Sequence, residues 1–200
     1  MRLMLLTAAT IVCAASLATA QNLPTEEEVA NAQYVGSRAC RPCHMNAAQG
    51  EMYTKWEAGP HSGAYETLAS QTATDLATAH GIDNAQESEV CLACHSAAGA
   101  MPAERRHRRY DPAEGVGCEA CHGAGQYYRK KKVMCQLTGG VLEGAAVGLI
   151  EPNEAVCAGC HTAEAPEGHP ERDFTFSEAS EQIAHPLPAA RREAAEAGCD

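Results

Sequence analysis

Eight of the eleven cysteines in the 200-residue chain fall in four copies of one pentad: Cys40-Arg-Pro-Cys43-His44, Cys91-Leu-Ala-Cys94-His95, Cys118-Glu-Ala-Cys121-His122 and Cys157-Ala-Gly-Cys160-His161. C-x-x-C-H is the attachment signal for c-type haem. The spacing has a chemical reason. Two thiols two residues apart add to the two vinyl groups on one edge of the porphyrin. The adjacent histidine then lies beneath the ring and offers its imidazole to the iron. Paired C-x-x-C units also build zinc ribbons, but a zinc ribbon does not need a histidine directly after every second cysteine. The pentads therefore predict four covalently bound haem c groups. Cys40, Cys43, Cys91, Cys94, Cys118, Cys121, Cys157 and Cys160 attach them, and His44, His95, His122 and His161 are proximal ligands.

Something must support these pentads, and the composition limits what it can be. Only 4% of the residues are aromatic, with one Trp and two Phe, although 45% are hydrophobic. Large side chains carry most of the burial energy, so an ordinary core is out of reach. The porphyrins are expected to be the core. The expected fold is mostly α, with short helices and long loops wrapped around four closely packed haems and little or no β-structure. The net charge of −11 argues against nucleic acid as a partner.

Residues 1–20 read as a secretory signal peptide. Arg2 is the charged start, Leu3 to Leu17 the apolar stretch, and Ala18-Thr19-Ala20 the cleavage site. The apolar run, about 15 residues, is short of the roughly 20 that a membrane span needs. Cys13 follows Val12, which is large for a lipidation site. The mature chain is expected to start near Gln21 and to be soluble and periplasmic or extracellular, where cysteines are free to be used covalently. Residues 21–33 read as a loose acidic arm, 34–188 as the haem domain and 189–200 as a charged tail. Within the domain, Met45, Gln49, Met52 and Trp56 recur at helical spacing, ended by Gly59-Pro60. A second helix is expected over 62–80 with Gly81 closing it. A loop is expected over 96–117, an interrupted helix over 133–149, a short helix into the fourth pentad, and one that Ser177 caps.

Longer motifs surround the pentads. Gly115-Val-Gly-Cys118-Glu-Ala-Cys121-His122-Gly-Ala-Gly125 resembles the signature of the cytochrome c-554 family of tetrahaem cytochromes, also called the cytochrome c-552/4 domain. Tyr34-Val-Gly-Ser-Arg-Ala-Cys40 and Trp56-Glu-Ala-Gly-Pro-His61-Ser-Gly-Ala-Tyr65 resemble its first repeat. Phe174-Thr-Phe-Ser-Glu-Ala-Ser-Glu-Gln-Ile-Ala-His185-Pro resembles its final helix. The resemblance implies a mostly α fold with two stacked haem pairs, and one-electron transfer between redox partners. Those partners include a hydroxylamine oxidoreductase-like donor in some members, and a membrane-associated quinol-linked protein is a further candidate partner. It implies His61 as distal ligand to the third haem and His185 to the fourth. It also implies a distal ligand for the first haem from the segment after the third pentad, where Met134 is the one conventional ligand. The family's second haem lacks a distal side chain, and no residue here clearly supplies one. That predicts an open iron at His95, able to bind nitric oxide.

The alternatives to electron transfer are therefore nitric oxide binding or reduction at an open haem, and a subunit of an extracellular cytochrome filament. His80, His107 and His169 are weaker ligand candidates. Arg105, Arg106, Arg108 and Arg109, with Arg129, Lys130, Lys131 and Lys132, flank the third pentad as solvated surface, as partners for haem propionates, or as a dock for an acidic protein. Cys135 and Cys199 are spare thiols that can pair. Intact-mass analysis of the acid-denatured mature protein is expected to give a chain starting near Gln21 plus four haem masses; three or fewer would make one pentad a mimic.

Overall fold

The computed structural model describes residues 23–161, 164–170 and 173–199; the stretch read as a leader, Cys13 included, lies outside them. The described residues form short helical pieces joined by turns: α1 (Glu26–Ala30), α2 (Arg41–His44), α3 (Met52–Glu57), α4 (Ala64–Thr67), α5 (Gln71–Ala79), α6 (Glu89–His95), α7 (Cys118–His122), α8 (Lys131–Thr138), α9 (Glu154–His161), α10 (Phe176–Ile183) and α11 (Ala189–Ala197). None approaches the roughly 12 residues at which a helix becomes marginally stable alone. Extended pairing among the described residues is a single bridge between Tyr34 and Arg106. The chain is thus mostly α, as composition and motifs predict.

The side-chain core is thin. Of twelve buried apolar residues among those described, half are alanine: Ala32, Ala77, Ala85, Ala98, Ala124 and Ala195. The largest packed cluster is Leu68, Ala77, Ala85 and Leu92, with Tyr65 and Ile82 against it. It sits beneath the second pentad, because Leu92 belongs to α6.

Several expected elements differ, each for a local reason. The helix expected from Met45 to Trp56 is broken at Gly50, which takes φ +93° against the Pro186 carbonyl and Pro188; a Cβ there would meet both at 3.1 Å. The helix expected over 62–80 divides at Ser70, whose side chain accepts from the Ala73 N–H and starts α5. Gly81 follows with φ +69°, as its closing role predicts. Thr175 rather than Ser177 precedes α10. The acidic arm is not loose. Thr25 and Glu28 form a reciprocal capping box on α1, and Ala32, Val35 and Ser37 are buried behind it.

The charged tail is tied down as well. Ala195 of α11 is buried, and a Cβ on Gly139, at the end of α8, would lie 2.8 Å from its carbonyl. Cys135 and Cys199 form a disulfide with Cα atoms 5.6 Å apart. The bridge closes a sequence separation of 64 residues, worth about 4 kcal/mol on the chain-entropy estimate. Thiol counting on unreduced, denatured holoprotein is expected to find no free thiol. The Cys135→Ser/Cys199→Ser double variant is expected to lose about 2–4 kcal/mol in denaturant unfolding.

Candidate haem-ligand sites

Each pentad sits on a helix of four to eight residues, so long-range contacts must hold its histidine. At the third pentad two glycines allow that contact. Gly115 has φ +70°, and a Cβ there would meet the His61 carbonyl at 2.6 Å. The next N–H, of Val116, donates to that carbonyl at 3.0 Å. Trp56 Nε1 donates to the Val116 carbonyl at 2.9 Å. The turn bearing His61 is thereby fixed to the lead of the third pentad. Gly123, at φ +77°, leaves room for the Gly148 carbonyl, and Ile150 N–H returns to the His122 carbonyl at 3.0 Å.

Glu119, inside the third pentad, is 2% exposed. Its carboxylate accepts from the N–H groups of Val35, Gly36 and Gly125. Burial pushes the carboxyl up, and those three donors pull it back. Glu114 is buried beside it and accepts from Ser37 N–H, with the Arg38 guanidinium 3.5 Å from Oε1. These two acids bind the lead of the first pentad to the third. Nothing in the linear pattern marked Glu119 as structural; a charged residue between attachment cysteines was the one available signal.

The histidine rings fall into facing pairs. His61 lies 6.0 Å from His161, His122 lies 6.0 Å from His185, and His95 lies 6.3 Å from His169, centroid to centroid. Two metal–imidazole bonds of about 2.0–2.1 Å plus two ring half-widths of about 1.1 Å give about 6.3 Å, so the spacing fits an iron between each pair. The resemblance implies His61 over the third pentad and His185 over the fourth; in the structure the His61 ring lies beside His161 of the fourth pentad and the His185 ring beside His122 of the third. The sequence also left His95 without a facing side chain, and the structure brings His169 there from a segment 74 positions downstream.

Hydrogen bonds sort the tautomers. His95 Nδ1 is 2.8 Å from the Ala64 carbonyl, His122 Nδ1 3.3 Å from Ile150 O, His169 Nδ1 3.0 Å from Pro170 O, and His185 Nδ1 2.8 Å from Ile183 O. A carbonyl only accepts, so Nδ1 carries the proton and the Nε2 lone pair is left for a metal. Burial lowers the pKa of His44, His61 and His122, which also keeps them neutral. His80 instead donates from Nε2 to the Glu167 carbonyl at 2.8 Å. His107 Nδ1 accepts from Arg109 N–H at 3.2 Å, leaving its proton on Nε2. Both are the wrong tautomer for Nε2 ligation.

The attachment cysteines adjoin in a fixed order. Cys40 touches Cys118, Cys121 neighbours Cys157, and Cys160 touches Cys94. The pentads therefore follow one another in space as first, third, fourth, second. Among the described residues no three His, Cys, Asp or Glu side chains gather as a metal cluster, the convergence that a structural zinc site needs. Gln33 N–H donates to Gln126 Oε1 and its Nε2 donates to the Glu104 carbonyl. Arg105 is committed to the Ala32 carbonyl and lies over Tyr34.

The helical chain sets histidines directly behind C-x-x-C pairs and brings three of them within about 6 Å of a second imidazole, an arrangement that fits c-type haem. Residues 39–123, less than half of the chain, match the family of cytochrome c554 and c-prime. The match spans the first three pentads. The chain is 28% identical over 104 residues to cytochrome c-554 of Nitrosomonas europaea, covering 50% of this chain and 42% of that protein. It thus spans less than half of that relative's length. No solved structure matches. No helix among the described residues is long and apolar enough to cross a membrane.

Glu119→Ala would strand three N–H groups, each costing about 1–3 kcal/mol when buried and unpaired. It is expected to lower stability by about 3 kcal/mol or more in denaturant unfolding, with Glu119→Gln retaining part of the loss.

Proposed function

We propose that the protein is an exported tetrahaem cytochrome that moves single electrons between a donor and an acceptor protein along its four haem sites, in the order first, third, fourth, second pentad. The observation that carries this reading is the three facing imidazole pairs, each 6.0–6.3 Å apart, with Nδ1 protons tied to carbonyls wherever a partner is made. The eight pentad cysteines hold the porphyrins, and His44, His95, His122 and His161 are the proximal ligands. His169 faces the second site, His185 the third and His61 the fourth. Bound haem supplies a one-electron Fe(III)/Fe(II) couple. Two imidazoles facing each other would both hold the iron, which would suit it to electron transfer rather than to substrate chemistry.

The chain's own residues do the positioning. Ala64 and Ile150 carbonyls orient the second and third proximal rings. Phe174 stacks on His161 at 4.5 Å and fixes the plane of the fourth. The contact of Cys40 with Cys118 and of Cys160 with Cys94 supports two close pairs, joined through Cys121 and Cys157. His169 argues against nitric oxide chemistry at the second site, because it occupies the position a small ligand would take. The leader read in residues 1–20 supports export, and the two basic clusters flanking the third pentad suit an acidic redox protein.

His185→Ala is expected to convert one haem, the third, from low to high spin in electron-paramagnetic resonance. His169→Ala is expected to do the same at the second and to create nitric oxide binding in the ferrous protein. A wild-type protein that already binds nitric oxide, with no gain in His169→Ala, would return the second site to the open state.

A further inference from the structure

His185 is supported from two sides. Behind it, its Nδ1 is 2.8 Å from the Ile183 carbonyl at the end of α10. Its ring lies 6.0 Å from that of His122 on α7 and close enough to His44 on α2 for its charge to be felt there. Ahead of it, Pro186 to Arg191 run over a turn that belongs to the first pentad's segment, not to the third's. A Cβ on Gly50 would meet the Pro186 carbonyl and Pro188 Cδ, each at 3.1 Å. Arg191 Nε donates to Gln49 Oε1 at 2.9 Å.

That turn is tightly built. Asn46, two residues after His44, accepts at its side chain from Gln49 N–H at 3.0 Å. Gly50 N–H donates to the Ala47 carbonyl and Glu51 N–H to the Asn46 carbonyl, both at 3.1 Å. Gly50 takes φ +93°, and Glu51 follows at φ +52°, the only non-glycine residue at positive φ among those described. A left-handed backbone is costly outside glycine. It persists where the surroundings over-determine it, commonly around functional sites. Here it leaves the side-chain-free face of Gly50 against Pro186 and Pro188.

We infer that Gly50 and Gln49 are positioning residues for His185: the turn after the first pentad seats residues 186–191 and so holds this imidazole across from His122, an inference that rests on the haem-ligand reading above. Two features make the seat necessary. The helix α10 has eight residues and ends two positions before His185, too short to orient a ring by itself. Proline restricts its own φ and the residue before it, so seating Pro186 constrains the His185 backbone directly. The far end of the same strap is anchored to α8, where Gly139 closes onto Ala195 and Cys135 is bonded to Cys199. The third site thus takes its facing ring from a segment held by the first, and the two sites are mechanically one unit.

Carbon monoxide can bind a ferrous iron held by two imidazoles only while one ring is off, so its binding rate reports how firmly the ring is held. The test is rapid mixing of ferrous holoprotein with carbon monoxide, alongside electron-paramagnetic resonance of the ferric state. His185→Ala marks the haem concerned. Gln49→Ala is expected to speed binding at that haem about fivefold, the change in population that loss of one hydrogen bond brings. Gln49→Glu still accepts from Arg191 and is expected to stay at the wild-type rate. Gly50→Ala is expected to speed binding and to shift that haem's low-spin signal, because Pro186 must move. Gly140→Ala is the control: its backbone is also left-handed, at φ +69°, but a Cβ there meets nothing within 4 Å. It is expected to leave rate and signal unchanged. Wild-type rates in both Gln49→Ala and Gly50→Ala, or an equal rise in Gly140→Ala, overturn the inference. If His185→Ala itself opens no haem, the ligand reading is overturned and the inference falls with it.

Discussion

An imidazole can give Nε2 to a metal only if its proton is held at Nδ1, and here that proton is held by groups from elsewhere in the chain. Ala64 serves His95 from 31 positions away, and Ile150 serves His122 from 28. The pentad helices are too short to orient their own histidines, and distant segments deliver carbonyl acceptors to two of the four pentad rings, His95 and His122. Gly115 and Gly123 matter for the same reason. Each lets a carbonyl come closer than a side chain would allow, and each lies next to a histidine or its supporting turn.

That requirement explains an otherwise odd use of charge. Glu119 is buried within the third pentad, where an ionised carboxyl is expensive. It is retained because one carboxylate satisfies N–H groups from two distant segments, Val35–Gly36 and Gly125. Glu114 does the same for Ser37 with Arg38 alongside. Together they substitute polar cross-links for the aromatic packing that the composition does not provide.

The four pentads are alike in sequence and unlike in their surroundings. Carbonyls stand behind His95 and His122, a stacked ring lies on His161, and a sulfur stands behind His44. Surroundings of this kind tune a haem without changing its covalent chemistry. A chain of identical attachments can therefore carry a graded series of potentials.

The sequence by itself determined what short-range covalent chemistry dictates. The four C-x-x-C-H pentads mark the candidate attachment residues, and the poverty of large apolar side chains leaves little material for an ordinary core. The closing role of Gly81 and the end of α8 at Gly139 were likewise legible, because a backbone stop is a local event. The tertiary structure decided everything that joins distant positions. Which histidine faces which pentad, His61 with His161 and His185 with His122, depends on how loops of dozens of residues return. His169 stands in an exposed, patternless stretch and acquires meaning only from the ring 6.3 Å away. The pairing of Cys135 with Cys199 depended on a Cα separation that spacing cannot give. The burial of Glu119 was hidden for the same physical reason: a charge looks solvated in sequence until three backbone donors from elsewhere close around it.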